Sequence, residues 1–137
     1  MMSTPEYVEM NEGYEPHIYL DSEGIETIGI GFNLQEGFSR VECLLILNYR
    51  LGNLQDRLRE SFPWYSMLNQ VRKTVLLDMA YNLGIPRLCR FTKMLGAIAE
   101  ENWNKAAEEL LDSRYAKQVG PRADRNAKMM RTGEWYE

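Results

Sequence analysis

Residues 12–27 of this 137-residue chain read EGYEPHIYLDSEGIET, and they place two carboxylates and a hydroxyl at fixed spacing beside residues that favour a tight turn. Asp21 starts a segment in which Asp and Ser favour a turn and Gly24 can adopt a positive φ. β-prone residues flank it on both sides, at 17–20 and 25–32. The stretch therefore predicts a β-hairpin at this point of the chain.

Two carboxylates and a hydroxyl in the same stretch indicate a kind of chemistry. Hydrolysis of a glycosidic bond needs one carboxyl group to protonate the leaving oxygen and a second to activate water or attack the sugar. Glu12, Asp21 and Thr27 are the candidates for these roles. Each also has an ordinary alternative, because acidic residues are usually solvated, Asp opens turns and Thr is common in strands.

The residues on either side extend the pattern. Thr4 is a suitable N-cap for a short helix that Gly13 would end, so Glu12 is expected in the last helical turn. Beyond the hairpin, Gly29 and Gly31 are poor strand formers, and they indicate a bend or a close approach of the backbone.

The rest of the chain is predicted to be helical. Ser39 and Glu42 have the spacing of a capping box at the start of a helix over about 40–60. A core helix follows Pro63 and ends at Gly84, with one apolar stripe made of Leu68, Val71, Val75, Met79 and Leu83. Another amphipathic helix begins at Asn102 or Glu101. The order of elements predicts an α+β domain with a small N-terminal β lobe and a larger helical lobe.

Composition excludes several classes of protein. No apolar run approaches the ~20 residues that span a bilayer, and the N-terminus lacks the features of a secretory signal, so we expect a protein folded in a cytoplasm. Cys43 and Cys89 are far apart in sequence and are read as reduced thiols. His17 is the only histidine, which excludes zinc sites with two His ligands.

Charge is unevenly distributed along the chain. Residues 1–39 carry eight acidic side chains and no Lys or Arg, whereas residues 113–133 carry six basic side chains against Asp124 alone. The basic segment could bind nucleic acid, but the pI of about 5.2 and the lack of interleaved aromatic residues speak against this. An acidic lobe opposite a basic lobe is the preferred interpretation.

Several motifs together resemble those of phage-type lysozymes, the T4 lysozyme-like glycoside hydrolase family 24. The spacing Glu, eight residues, Asp, five residues, Thr is that family's catalytic signature. The TIGIG run after the hairpin, the helix LNQVRKTVLLDMAYNLG, the segments RFTKML and NWNKAAEELLDSRYAKQ, and the closing RTGEW occur in the family's order. The resemblance covers most of the chain.

This resemblance implies one lysozyme-like domain over residues 1–137 with its cleft between the two lobes. The N-terminal lobe would cover about 13–60, and the helical lobe about 61–137 plus the N-terminal helix. The implied protein is an endolysin that cleaves the β-1,4 bond between N-acetylmuramic acid and N-acetylglucosamine in peptidoglycan. It would need no metal and no cofactor.

The resemblance also implies roles for individual residues. Glu12 would be the general acid, while Asp21 and Thr27 would hold the attacking water, which implies inversion at the anomeric carbon. Arg122 matches a family arginine that pairs with the catalytic glutamate. Asn82 matches a sugar-binding position, and Phe32 and Tyr81 are further substrate-binding candidates.

Phe32 stands where the family often has a histidine, and the span from Phe32 to Ser39 is short, so the β lobe is expected to lack an element found in longer relatives.

The expected partners are peptidoglycan strands and a holin that releases the protein from the host cytoplasm to the wall. We expect a monomer that neither inserts stably into a membrane nor binds nucleic acid. Two alternatives remain open at this point. A lytic transglycosylase would use one glutamate and form an anhydro sugar, and a non-catalytic lysozyme-like domain would only bind glycan.

Overall fold

The computed structural model describes every residue from Met1 to Glu137, and these residues form two compact units, Met1–Ile46 and Leu47–Glu137. In the N-terminal unit, helix α1 (Thr4–Glu12) precedes three strands, β1 (Glu15–Leu20), β2 (Glu26–Gly29) and β3 (Phe32–Asn33). The strands form an antiparallel sheet in the order β1-β2-β3. The predicted hairpin is therefore confirmed as the β1–β2 pair.

Two details of the N-terminal unit differ from the prediction. The N-cap of α1 is Ser3, not Thr4, because the Ser3 hydroxyl accepts the Glu6 N–H while the Glu6 carboxylate accepts the Ser3 N–H. The single strand predicted over 25–32 is two strands. Gly29 and Gly31 have φ values of +71° and +69°, and they turn the chain between β2 and β3.

The remaining elements are helical, and the first of them starts in the N-terminal unit. They are α2 (Arg40–Ser61), a 3₁₀ helix (Tyr65–Met67), α3 (Gln70–Leu83), α4 (Ile85–Leu88), α5 (Thr92–Ala99), α6 (Trp103–Leu111), α7 (Arg114–Val119) and α8 (Pro121–Thr132). The predicted capping box at Ser39 and Glu42 is confirmed by hydrogen bonds of 2.8 and 3.1 Å. Of the two candidate caps for α6, Asn102 is the one observed.

The hydrophobic core lies in the helical unit. Its largest fully buried side chains are Tyr65, Leu58, Leu76, Met79, Leu88, Met94, Ile98, Leu110, Met130 and Val75. The stripe predicted for the core helix is confirmed at Val71, Val75 and Met79 of α3, whereas Leu68 precedes the helix. Pro86 occupies the first turn of α4, so the chain continues there as a new helix.

Burial is distributed very differently in the N-terminal unit, where Thr27 is the only buried residue. The first half of α2 exposes Val41, Leu45 and Tyr49, each more than 60% exposed. None of the helices has the length and apolarity needed to cross a bilayer. A small sheet followed by a large helical unit confirms the predicted α+β class.

Candidate active site

Glu12 is the last residue of α1, as the sequence predicts. Gly13 follows with φ of +79° and donates its N–H to the Glu9 carbonyl, which ends the helix. The Glu12 side chain lies against the β2–β3 turn, where a Cβ added at Gly31 would come 2.6 Å from Glu12 Oε2. The missing side chain at Gly31 thus leaves the space that the Glu12 carboxylate occupies.

Asp21 organises the turn between β1 and β2. Its Oδ1 accepts the backbone N–H of Glu23 at 2.8 Å and that of Ile25 at 2.9 Å. Its own N–H donates to the Ile25 carbonyl, and its carbonyl accepts the Gly24 N–H. Asp21 therefore does stabilise the turn, as one of the sequence-based interpretations proposed, but only its Oδ1 atom is used for this. Oδ2 makes no hydrogen bond within the protein, so it is free to accept a hydrogen bond from another molecule.

Thr27 lies in the central strand, with Tyr19 of β1 on one side and Asn33 of β3 on the other. It is 4% exposed, and its hydroxyl donates a 2.8 Å hydrogen bond to the Ile25 carbonyl. Because the proton is used in this way, the lone pairs of Oγ1 remain available as acceptors.

The three candidate residues all belong to the N-terminal unit, and Ile25 connects two of them. Its N–H donates to Asp21, and its carbonyl accepts the Thr27 hydroxyl. The hairpin thereby fixes one carboxylate and one hydroxyl through the same peptide segment. Glu12 reaches the same sheet at Gly31, in the turn that follows β2.

Phe32 opens β3, and its half-exposed ring is 49% accessible. It packs edge-to-face with Phe38 at 6.3 Å between centroids. The ring also lies over Gly29, where an added Cβ would be 2.8 Å from Phe32 Cδ2. One edge of the ring is thus held by the sheet, while the rest remains open to a ligand.

Tyr81 and Asn82 are exposed residues in the last turn of α3. Tyr81 lines a cavity of about 510 Å³ within the helical unit, together with Leu54 and the cationic residues Arg50 and Arg57 of α2. The Asn82 amide takes no part in the hydrogen bonds of the protein, so both its donor and its acceptor are free.

Arg122, near the start of α8, forms an ion pair with Asp78 of α3. Its Nη2 and Nε donate to the two carboxylate oxygens at 2.7 and 2.9 Å. Asn126 donates to Asp78 at 2.9 Å and to the Tyr115 hydroxyl at 3.0 Å. Asn126 and Tyr115 are buried, whereas the Asp78 and Arg122 side chains are about one third exposed (34% and 33%).

The electrostatics of this cluster follow from burial and pairing. Burial raises the pKa of the Asp78 carboxyl, but hydrogen bonds from Arg122 and Asn126 outweigh it, and the net pKa is below the usual range. The hydrogen bond to Asp78 raises the pKa of the Arg122 guanidinium. Burial also raises the pKa of Tyr115, which therefore stays a neutral phenol. Asp78 and Arg122 are charged throughout the neutral range.

Sequence reasoning did not identify the partners of Arg122. One signal was present, since Asp78 is the only acidic residue of α3 and lies among its core positions. A charge in such a helix indicates a paired group. The predicted pair of Arg122 with Glu12 would join residues of the two units and stays a prediction.

No three His, Cys, Asp or Glu side chains come together in a way that could hold a metal ion.

Comparisons with known proteins identify a family that covers most of this chain. The family model described as phage lysozyme matches residues 9–128. Two relatives from Dictyostelium discoideum, "Probable T4-type lysozyme 1" and "Probable T4-type lysozyme 2", are 24% and 25% identical over 96% and 98% of this chain and 95% and 97% of their own lengths. The "Pre-baseplate central spike protein Gp5" of Enterobacteria phage T4 is 24% identical over 96% of this chain, which corresponds to 28% of that protein.

Proposed function

This chain belongs to the phage lysozyme family, and we propose that it is a muramidase that hydrolyses the β-1,4 bond between N-acetylmuramic acid and N-acetylglucosamine. Membership of the family makes it a lysozyme-like glycan hydrolase with peptidoglycan as its substrate. The observation that carries the finer proposal is the hairpin, in which Asp21 and Thr27 both bind Ile25 and each keeps a free acceptor oxygen.

Glu12 is the general acid of the proposed reaction. It protonates the glycosidic oxygen as the bond to the anomeric carbon breaks, so that the leaving sugar departs as a neutral alcohol. Its place beside Gly31 supports this role, because the turn leaves the carboxyl group exposed and confines it on one side.

Asp21 and Thr27 bind the attacking water. The water donates one proton to Asp21 Oδ2 and the other to Thr27 Oγ1, which directs an oxygen lone pair outward to the sugar. Asp21 takes the proton as the water attacks, and the new C–O bond forms on the face opposite the leaving group. The product of this mechanism has inverted configuration at the anomeric carbon.

Further residues complete the proposal. Phe32, Tyr81 and Asn82 bind the glycan through ring faces and a free amide, and Arg122 supports the catalytic acid. The protein acts as a monomer with one catalytic domain over residues 1–137.

The biological role we propose is that of an endolysin. The protein accumulates in the host cytoplasm, passes a holin-dependent pore and lyses the cell by cutting the wall. The match to the phage lysozyme family supports this proposal.

The substitution Glu12→Gln tests the assignment. It keeps the size of the side chain but removes the proton that the leaving oxygen needs, so the lytic rate on purified walls should fall by about 10²–10⁴-fold. The melting temperature should stay close to that of the unchanged protein. The matched control is Glu9→Gln, one turn earlier in α1, which should retain full activity. A Glu12→Gln protein that lyses walls at the original rate would refute the proposal.

Product analysis separates hydrolysis from the transglycosylase alternative. Mass spectrometry of digested walls should find muropeptides with reducing ends, since water is the nucleophile. Proton NMR recorded before mutarotation should find the α-anomer as the first product. Anhydro ends would identify a transglycosylase, and an initial β-anomer would identify retention.

A further inference from the structure

A cavity of about 490 Å³ in the helical unit is not used by the proposed reaction. It lies where the 3₁₀ helix approaches the turn between α5 and α6. The side chains that matter for its chemistry are those of Trp64, Met67, Arg72, Glu100, Glu101 and Trp103. None of them belongs to the unit that carries Glu12, Asp21 and Thr27. Its volume is within the usual range for small-molecule sites.

Two indole rings line the cavity, and internal partners fix both of them. Phe62 stacks on Trp64 with 5.0 Å between ring centroids. The Arg72 guanidinium lies 3.8 Å from the centre of the Trp103 ring. Hydrogen bonds to the carbonyls of Met130 and Arg131, at 2.8 and 3.1 Å, hold that guanidinium in place. Each of the two rings is therefore held in place at the cavity wall.

Unlike Arg72, the two carboxylates and the two indole N–H groups around the cavity have no hydrogen-bond partner within the protein, although the positive charge of Arg72 acts on Glu101. Glu100 and Glu101 form no salt bridge and accept no hydrogen bond, and neither indole N–H is used as a donor. Glu101 has φ of +58° and is the only residue other than glycine with a positive φ. The cavity lining thus contains acceptors and donors as well as two indole rings.

The charged side chains around the cavity limit the kind of ligand that it can bind. Arg72 already occupies a face of Trp103, and its positive charge would repel a second cation placed beside it. The two carboxylates disfavour an anion. A neutral molecule with an apolar face and several hydroxyl donors satisfies both conditions, because its C–H face covers an indole while its hydroxyls donate to the carboxylates.

We propose that this cavity binds an N-acetylhexosamine unit of a glycan, as a second sugar site outside the catalytic residues. The sugar ring stacks on the indole surface, its hydroxyls donate to Glu100 and Glu101, and the acetyl methyl group contacts Met67. Such a site would keep the protein on a glycan strand between cleavage events.

The test uses the indole N–H signals of the full chain, which contains three tryptophans. N-acetylglucosamine is titrated into ¹⁵N-labelled protein. The signals of Trp64 and Trp103 should shift in a saturable manner, with a dissociation constant on the order of millimolar for so few contacts. The signal of Trp135, which does not line the cavity, serves as the internal control. Absence of a saturable shift at Trp64 and Trp103 overturns the proposal, as does an equal shift at all three residues.

Two variants link any shift to the cavity. Glu100→Gln combined with Glu101→Gln should weaken binding about tenfold, as expected for losing hydrogen bonds to charged groups. Glu108→Gln, an exposed change in α6, should leave the affinity unchanged. Glu101→Gly should lose affinity while raising the melting temperature, because glycine adopts a positive φ without strain. Unchanged affinity in both cavity variants would refute the site.

Titration with tetramethylammonium tests the competing ligand class, and a saturable shift stronger than that of the sugar would overturn the choice of ligand. The same sugar titration on the Glu12→Gln protein keeps the two proposals separate. Binding should persist there although lysis is lost, so failure of either proposal is recognised independently of the other.

Discussion

At the scale of single residues, Gly31 determines where the carboxylate of Glu12, the proposed catalytic acid, lies. Replacing it by Ala would place a methyl group about where the Glu12 carboxylate now lies, 2.6 Å from Oε2, and would strain a backbone with φ of +69°. We expect Gly31→Ala to lose at least about tenfold in lytic rate, because displacing a reacting group by about 1 Å is costly. The rate is measured on purified walls.

Gly37→Ala is the matched control for this change. Gly37 also has a positive φ, of +72°, but an added Cβ there meets nothing within 4 Å. Both variants should lose about 1–2 kcal/mol of unfolding free energy from backbone strain. Only Gly31→Ala should lose activity, and equal activities in the two variants would contradict the proposed contact.

A single substitution can separate the structural role of Asp21 in the turn from its proposed chemical role. Asp21→Asn keeps an oxygen that accepts the Glu23 and Ile25 N–H groups, so the turn and the melting temperature should be preserved. It removes the base, and the lytic rate should fall by about 10²–10⁴-fold. Asp21→Ala should lose stability as well. If the Asn variant lyses walls normally, Asp21 serves the turn alone.

At the scale of elements, the ion pair of Asp78 and Arg122 joins α3 to α8. The pKa of Asp78 is lower in the folded protein than in the unfolded chain, where it is about 3.9. The ion pair therefore contributes its full stabilisation at pH values above the unfolded pKa. This stabilisation is lost as the pH falls through the folded pKa. Asp78→Asn should therefore reduce the unfolding free energy at pH 7 by about 1–2 kcal/mol, since the pair is partly exposed. It should also flatten the decline below pH 4.

Denaturant titrations across that pH range measure this effect. The exposed pair of Asp56 and Arg59, 3.3 Å apart within α2, gives a control. Asp56→Asn should change the unfolding free energy by at most about 0.5 kcal/mol. A loss for Asp78→Asn as small as that of the control would show that the pair does not stabilise the helical unit.

Elements also differ in how well the sequence predicts them. The start of α2 and the stripe of α3 follow from local rules, capping and helical periodicity, so both were predicted. The break between β2 and β3 was indicated only by two glycines, and its effect on strand length depends on the turn they form. The partner of Arg122 depends on how two helices distant in sequence pack together, which a single sequence does not encode locally.

The spacing of the proposed catalytic residues was recognisable because Glu12, Asp21 and Thr27 occur within one hairpin and the adjoining helix end. The hydrogen bonds that give Asp21 and Thr27 a common partner in Ile25 could not be recognised from the sequence, because they depend on the side-chain conformations in the folded turn. The cavity between Trp64 and Trp103 likewise joins residues almost forty positions apart, and no motif marks it.

At the scale of the whole molecule, charge is divided between the two units. The N-terminal unit has nine acidic side chains against one Arg, whereas the helical unit has fifteen Lys and Arg against eleven acidic side chains. The net charge of −4 gives no overall attraction to an anionic wall. Long-range attraction therefore contributes little to the association of this protein with its substrate.

The expected consequence is a weak dependence of lysis on salt. Raising the salt concentration from about 0.02 M to about 0.15 M shortens the screening length to about 8 Å, which slows an enzyme that relies on electrostatic attraction. For this chain the lytic rate on whole walls should stay level or rise, because screening removes repulsion from the acidic N-terminal unit. A short uncharged glycan fragment is the control substrate, since its cleavage should not respond to salt through steering. A steep fall on walls with a level rate on the fragment would show that the basic helical unit, and not the net charge, governs the approach to the wall.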